Sequence, residues 1–176
     1  MLFPSYKVLI LDRADASLLQ RSVASVASQT LDNVTWTVAE GAAEGIAELD
    51  PAEEDVVVFL EGTDWLFNER TLHQLHEAYL RYDLLFTSSF YLHHPTGRVG
   101  GAPEPHPRLV LKGDYRKLGW WCPGLKSCKG KLLHGIELDE PSLSYTLLER
   151  AGPHVHFFQH VQVVQGTEDE RPWPRR

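Results

Sequence analysis

Cysteine is scarce in this chain of 176 residues: only Cys122 and Cys128 occur. Two thiols cannot build the disulfide framework of a small secreted domain, and they suit a reducing compartment. Long apolar runs are also missing. No window approaches the ~18 consecutive apolar residues that a membrane-spanning helix needs. The opening stretch MLFPSYKVLILDRADAS is broken by Pro4 and Lys7 and stops at Asp12, so it lacks the basic segment and long apolar run of a signal peptide. Excess positive charge is absent too. Lys plus Arg total 17 against 24 Asp plus Glu, a net charge of −7 with neutral His. That balance argues against a general nucleic-acid coat, which needs basic surface to meet phosphates. These absences lead to the expectation of a soluble, cytoplasmic protein with no transmembrane segment and no nucleic-acid partner.

What is present is an ordinary globular balance, 43% hydrophobic and 23% charged, which argues against wholesale disorder. The length predicts one domain over residues 1–166, with the polar stretch 167–176 as a frayed tail. In the first half, short apolar runs alternate with helical periodicity. Strands are predicted over 6–11 (YKVLIL), 34–38 (VTWTV), 55–60 (DVVVFL) and 84–91 (LLFTSSFY), because each is a short run rich in strand formers. Between them, Leu18, Leu19, Val23, Val26 and Ala27 recur at helical spacing in a helix that ends near Thr30, with Asp15 or Ser17 as its cap. A short helix is predicted over 42–49, and a longer one over 69–82. Further on, residues 125–133 and 141–151 read as helices, and 155–158 and 161–164 as two strands. The stretch 93–108 carries four prolines and three glycines and is expected to be irregular, either a surface lid or a disordered connection.

Strand and helix in alternation imply an α/β fold, a mostly parallel sheet flanked by helices. Such Rossmann-like sheets bind ligands outside the carboxyl ends of their strands. Attention therefore falls on Leu11-Asp12-Arg13, Ala39-Glu40-Gly41 and Glu61-Gly62-Thr63-Asp64. A carboxylate can accept the ring N–H of a uracil-like base, and carboxylates near a pyrophosphate suit Mn²⁺ or Mg²⁺, which prefer oxygen ligands. Acids at such positions also serve as turn residues and helix caps. Likewise Glu137, Asp139 and Glu140 could supply a general base, or merely favour the start of the following helix. Trp65, Trp120 and Trp121 offer flat faces for a sugar or large anchors for a core. His154, His156 and His160 do not combine with the two cysteines into a usual zinc spacing.

The segments SLLQRSVASVASQT (17–30) and VTWTVAEGAAEG (34–45) resemble the opening of family 2-like nucleotide-sugar glycosyltransferases of the GT-A fold. There a helix ends in Ser-Val…Gln-Thr and the second strand runs into Val-Asp-Asp-Gly-Ser. VVVFLEGTDWL (56–66) is similar to that family's third strand, which ends in Leu-Asp-Gly-Asp-Asp-Trp-Leu. WWCPGLKSCKGKLLHGIE (120–137) and EPSLSYTLLERAGPHVHFF (140–158) resemble later segments of one subgroup. In this chain the Asp-X-Asp motif is degenerate: it reads Glu61-Gly62-Thr63, and a hydroxyl stands where a second acid is expected.

The resemblance implies a GT-A-like domain that transfers a sugar from a UDP-sugar donor to the hydroxyl of an unknown acceptor, with assistance from Mn²⁺ or Mg²⁺. It implies Glu40 at the base, with Leu11, Asp12, Arg13, Glu61, Gly62 and Lys126 around the nucleotide. Glu61, Thr63, Asp64 and His160 become the expected metal contacts, and Asp139 or Glu140 the catalytic base. Trp65, Trp120 and Trp121 become the expected sugar or acceptor contacts. Thr63 weakens the metal expectation. A catalytically degenerate UDP- or UDP-sugar-binding protein on the same fold is the alternative, and an unrelated interaction module is a third reading.

Overall fold

The computed structural model describes residues 3–13, 15–100, 104–105, 120–121, 124–139 and 143–168. Its chain order begins with β1 (Tyr6–Leu11), α1 (Ala16–Ala27), β2 (Val34–Ala39), α2 (Ala42–Leu49), β3 (Val56–Glu61), β4 (Asp64–Leu66) and α3 (Thr71–Arg81). It continues with β5 (Phe86–His93), β6 (Arg98–Gly100), β7 (Glu104–Pro105), β8 (Trp120–Trp121) and β9 (Lys126–Lys129). A 3₁₀ turn (Gly130–Leu133), α4 (Leu143–Ala151) and β10 (Val155–Gln165) complete it. The main sheet has the order β2-β1-β3-β9-β5-β10-β4, and β6 pairs with β5. β1, β2 and β3 run parallel, as do β5 and β10. β9 is antiparallel to both β3 and β5, so β1, β2, β3, β5 and β10 all point the same way. Their carboxyl ends face one edge of the molecule.

The continuous apolar runs have a simple cause: both faces of the sheet are covered. On one side Val8, Ile10, Val58 and Leu60 meet Val26 of α1 and Leu72, Leu75 and Tyr79 of α3. On the other, Leu9, Val57 and Phe86 meet Ile46 and Leu49 of α2 and Leu147 and Leu148 of α4. Each fully buried leucine contributes about 1.5–3 kcal/mol, so the central strands hold the site-bearing edge rigid. Asp15 caps α1, accepting from the Leu18 N–H at 3.0 Å.

Two predicted elements are corrected. Residues 125–133 do not form a helix. Ser127, Cys128 and Lys129 are buried in β9, between β3 and β5, because ladder pairing at the sheet centre outweighs local propensity. Cys128 is enclosed there, and burial pushes its thiol pKa up, which leaves it no ready nucleophile. The two strands expected over 155–164 are one, bent by register shifts at Phe158/Val161 and Val161/Val163. Its exposed Gln159-His160 pair masqueraded as a break.

The irregular stretch predicted from 93 is also shorter at its start. β5 reaches His93 and returns through a turn to β6, with Gly97 at φ 67°. The lid expected over 93–108 falls in part outside the described residues, as does the tail from 169 onward. Among the described residues, no helix is long and apolar enough to cross a membrane.

Candidate functional site

The register of the first three strands builds the site. Leu11 pairs with Ala39 on one side and with Glu61 on the other. Asp12-Arg13, Glu40-Gly41 and Gly62 therefore leave the sheet side by side. The ladder runs one step further: the Asp12 N–H donates to the Ala39 carbonyl at 2.9 Å, and the Gly62 N–H to the Leu11 carbonyl at 2.6 Å. Arg13 closes this row. Its Nε stands 2.6 Å from Glu61 Oε2 and its Nη2 3.4 Å from Glu61 Oε1. The hydrogen bond to Glu61 raises the Arg13 pKa, burial opposes the shift, and the Glu61 and Asp12 charges reinforce it. The pair is partly exposed, so it adds at most about 1 kcal/mol to stability. Its value lies in orientation: a guanidinium held through one edge keeps N–H groups for an anion. Glu40 is exposed and Asp12 half-buried.

β9 brings a second cation to the same end. Lys126 pairs with Phe59, two residues short of Glu61, and its Nζ donates to the Gly124 carbonyl at 3.3 Å. Lys129, at the far end of β9, instead donates to the Glu54 carbonyl at 2.8 Å and has no place in the row.

Asp139 reaches the row by a route that the sequence did not reveal. α2 starts after Gly41, which has no side chain to cap it. Asp139 Oδ1 does that work from 97 residues away, accepting from Ala42 N–H at 2.7 Å and Ala43 N–H at 3.2 Å. A glycine at an N-cap was the one available hint that a distant acceptor is needed. Glu140 lies outside the described residues.

The turn after β3 buries Thr63 and Asp64, 7% and 5% exposed, with Thr63 Oγ1 3.4 Å from Asp64 Oδ1. Asp64 pairs across with Gln165, which pairs in turn with His93. Sequence reasoning passed over both of these buried neighbours, whose types and spacing carry no signal. His93 is committed on both ring nitrogens, to Thr96 Oγ1 at 2.8 Å and to the Thr167 carbonyl at 2.9 Å.

His160 does not join Asp64. It sits five residues before Gln165 along β10, on the order of 15 Å away at strand rise, and its Nε2 lies 3.1 Å from Gln74 Oε1 on α3. The expected metal role is corrected accordingly. Partial burial of the rings lowers the pKa of both His156 and His160, and the His160 charge adds to the shift at His156. A lowered folded-state pKa means that the unfolded chain takes the proton first. Stability is therefore expected to fall as the pH drops from about 7.5 to about 5.5. Melting temperatures across that range check this, and the slope should flatten in the variant carrying His156→Phe and His160→Gln.

Trp65 is not an open sugar platform. It is 8% exposed, with the Arg21 guanidinium 3.7 Å from its ring centroid and His94 edge-on at 5.2 Å. Trp120 and Trp121 pair through β8 with β7, and their side chains lie outside what is described.

No protein-family model and no curated protein matches the chain. Solved structures do match. Residues 1–349 of TarS from S. aureus align with TM-score 0.58 at 12% identity, covering 91% of this chain and 60% of that one. The same protein in complex with UDP-GlcNAc aligns with TM-score 0.60 at 11% identity, covering 95% and 60%. The mannosyltransferase PcManGT from Pyrobaculum calidifontis, in complex with GDP-Man and Mn²⁺, aligns with TM-score 0.55 at 11% identity, covering 94% and 58%. The fold is GT-A.

The chain spans about three fifths of the length of these GT-A structures, 58–60%. Within the GT-A sheet, the row at the ends of β1, β2 and β3 lies where open α/β sheets take their ligands. Of the four expected metal donors, Glu61 and Asp64 are the carboxylates, and Asp64 is buried in the turn after Gly62. Glu61 is bound edge-on by Arg13, Thr63 supplies a neutral hydroxyl, and His160 is remote. Among the described residues, no group of three or more His, Cys, Asp or Glu side chains comes together to hold a metal.

Proposed function

We propose that this GT-A domain binds a UDP-sugar and transfers its sugar to an acceptor hydroxyl. The observation that carries this reading is the shared register of Leu11, Ala39 and Glu61, which gathers Asp12, Arg13, Glu40 and Glu61 on one strand edge. A GT-A neighbour has been solved with UDP-GlcNAc. Glu40 accepts the ring N–H of uracil, and Asp12 lines the base and ribose. Arg13 and Lys126 face the diphosphate and stabilise the charge that grows on it as the glycosidic bond breaks. The acceptor hydroxyl loses its proton to a carboxylate as it attacks the anomeric carbon. Asp139 and Glu140 are the candidates, and the two hydrogen bonds to Asp139 Oδ1 favour Glu140 as the base. No step is routed through a metal. The neighbour with Mn²⁺ is the support for the metal-assisted form of the reading, and Thr63 with the Arg13–Glu61 pair weighs against it.

Those same two features favour the second reading, a UDP-sugar-binding protein that has lost turnover. Calorimetric titration with UDP, GDP and ADP, with and without Mn²⁺, tests the binding. UDP is expected to bind about tenfold or more tighter than the purine nucleotides, with little change on adding Mn²⁺. A preference for GDP or ADP, or no nucleotide binding, sinks the reading. Release of UDP from a panel of UDP-sugars then separates transferase from binder.

A further inference from the structure

The contact between Asp139 and the start of α2 joins two parts of the chain that the proposed reaction uses separately. On one side is Glu40-Gly41, the turn that would read the base. On the other is the segment from the 3₁₀ turn to Asp139, which leads to the acidic pair 139–140. We infer that Asp139 is a positioning residue: it clamps the base-reading turn to this acidic segment, so that nucleotide binding and ordering of that segment are coupled. The inference rests on the proposed UDP-sugar reading.

Three observations carry it. First, α2 has no cap of its own, since Gly41 offers no side-chain acceptor. The N–H groups of Ala42 and Ala43 would otherwise lack an intrahelical partner. Second, one oxygen, Asp139 Oδ1, accepts from both, at 2.7 and 3.2 Å. A carboxylate at this end also complements the helix dipole. Third, the approach is close: a Cβ at Gly41 would stand 3.0 Å from Asp139 Oδ1, so any larger residue there makes the carboxylate give way by a few tenths of an ångström. Glycine loses the most backbone freedom on ordering. A Glu40-Gly41 turn without the clamp therefore spends part of its time in conformations that cannot present Glu40. Apparent nucleotide affinity falls by the fraction of time the competent form is present.

The test uses the whole chain and UDP, with melting temperature recorded for every variant. Asp139→Ala is expected to raise the Kd for UDP about tenfold. Asp139→Asn, which keeps an acceptor oxygen, is expected to stay within about threefold of the original protein. Gly41→Val, which drives the carboxylate away, is expected to match Asp139→Ala. The double variant should be no weaker than either single one, because both break the same contact. Hydrogen exchange supplies a readout that a purely structural cap would leave still: UDP should slow exchange over residues 136–139 in the original chain and not in Gly41→Val.

An unchanged Kd in Asp139→Ala overturns the inference, as does an Asn variant as weak as the Ala variant. Exchange over 136–139 that ignores UDP has the same consequence. Failure of the original chain to bind UDP is a different result, since it removes the proposed function itself.

Discussion

Replacing Gly124 by Ala is expected to cost about 3 kcal/mol or more of stability, or to prevent folding altogether. Gly124 is buried just before β9. A Cβ there would lie 2.7 Å from Ser89 Oγ and closer still to the Ser89 backbone carbonyl. Ser89 cannot yield. It belongs to β5, is 0% exposed, and its Oγ accepts from the Leu125 N–H at 3.1 Å. The added methyl must push apart two neighbouring strands in the middle of the sheet, and interiors packed at crystal density do not absorb that cheaply. Urea unfolding of the variant measures the loss. A cost below about 1 kcal/mol would show that β5 and the Gly124 turn are not packed this closely. Since Gly124 also accepts from Lys126 Nζ, any folded fraction should bind nucleotide more weakly.

The second large effect concerns Glu40. On the proposed reading, Glu40→Ala should weaken UDP binding by roughly 10- to 150-fold, the worth of a hydrogen bond to a charged group, about 1.5–3 kcal/mol. The preference for UDP over GDP should shrink with it, because the acid that reads the pyrimidine has gone. Glu40 is exposed at the end of β2, so the melting temperature is expected to stay within the small range of ordinary surface substitutions. Glu40→Gln keeps an acceptor without the charge and should fall between the two. Titration calorimetry with UDP and GDP on all three proteins decides the matter. Equal UDP affinity in the Ala variant would remove Glu40 from the base pocket while leaving Arg13, Asp12 and the diphosphate side of the proposal intact.

How far the chain could be read in advance differs from one end to the other. The pattern YKVLIL predicted β1 over 6–11, and α2 over 42–49 matched its observed bounds. β1 owes this to a short apolar run of strand formers that stops at Asp12, and α2 to its place between Gly41 and Asp50. β9 failed because Leu125, Cys128, Leu132 and Leu133 fall at helical spacing. Its strand state comes from β3 and β5 on its two sides, which no local window contains. The candidate site divides in the same way. Asp12, Arg13, Glu40, Glu61 and Gly62 follow strands and could be placed together from topology alone. That Arg13 holds Glu61 edge-on, that Asp64 is buried beside Gln165, and that His160 faces Gln74 are facts of side-chain direction and strand order.

By itself the sequence determined the class of fold, the strands of its parallel half and the edge where their acids gather. These follow from hydrophobic period and turn chemistry, which act over a few residues. Tertiary structure alone decided which of those acids are committed. Asp139 became the cap of a helix 97 residues away, and Thr63 and Asp64 were enclosed by the turn into β4. Such outcomes depend on which distant segments share a surface, and chain separation in sequence says nothing about that distance in space.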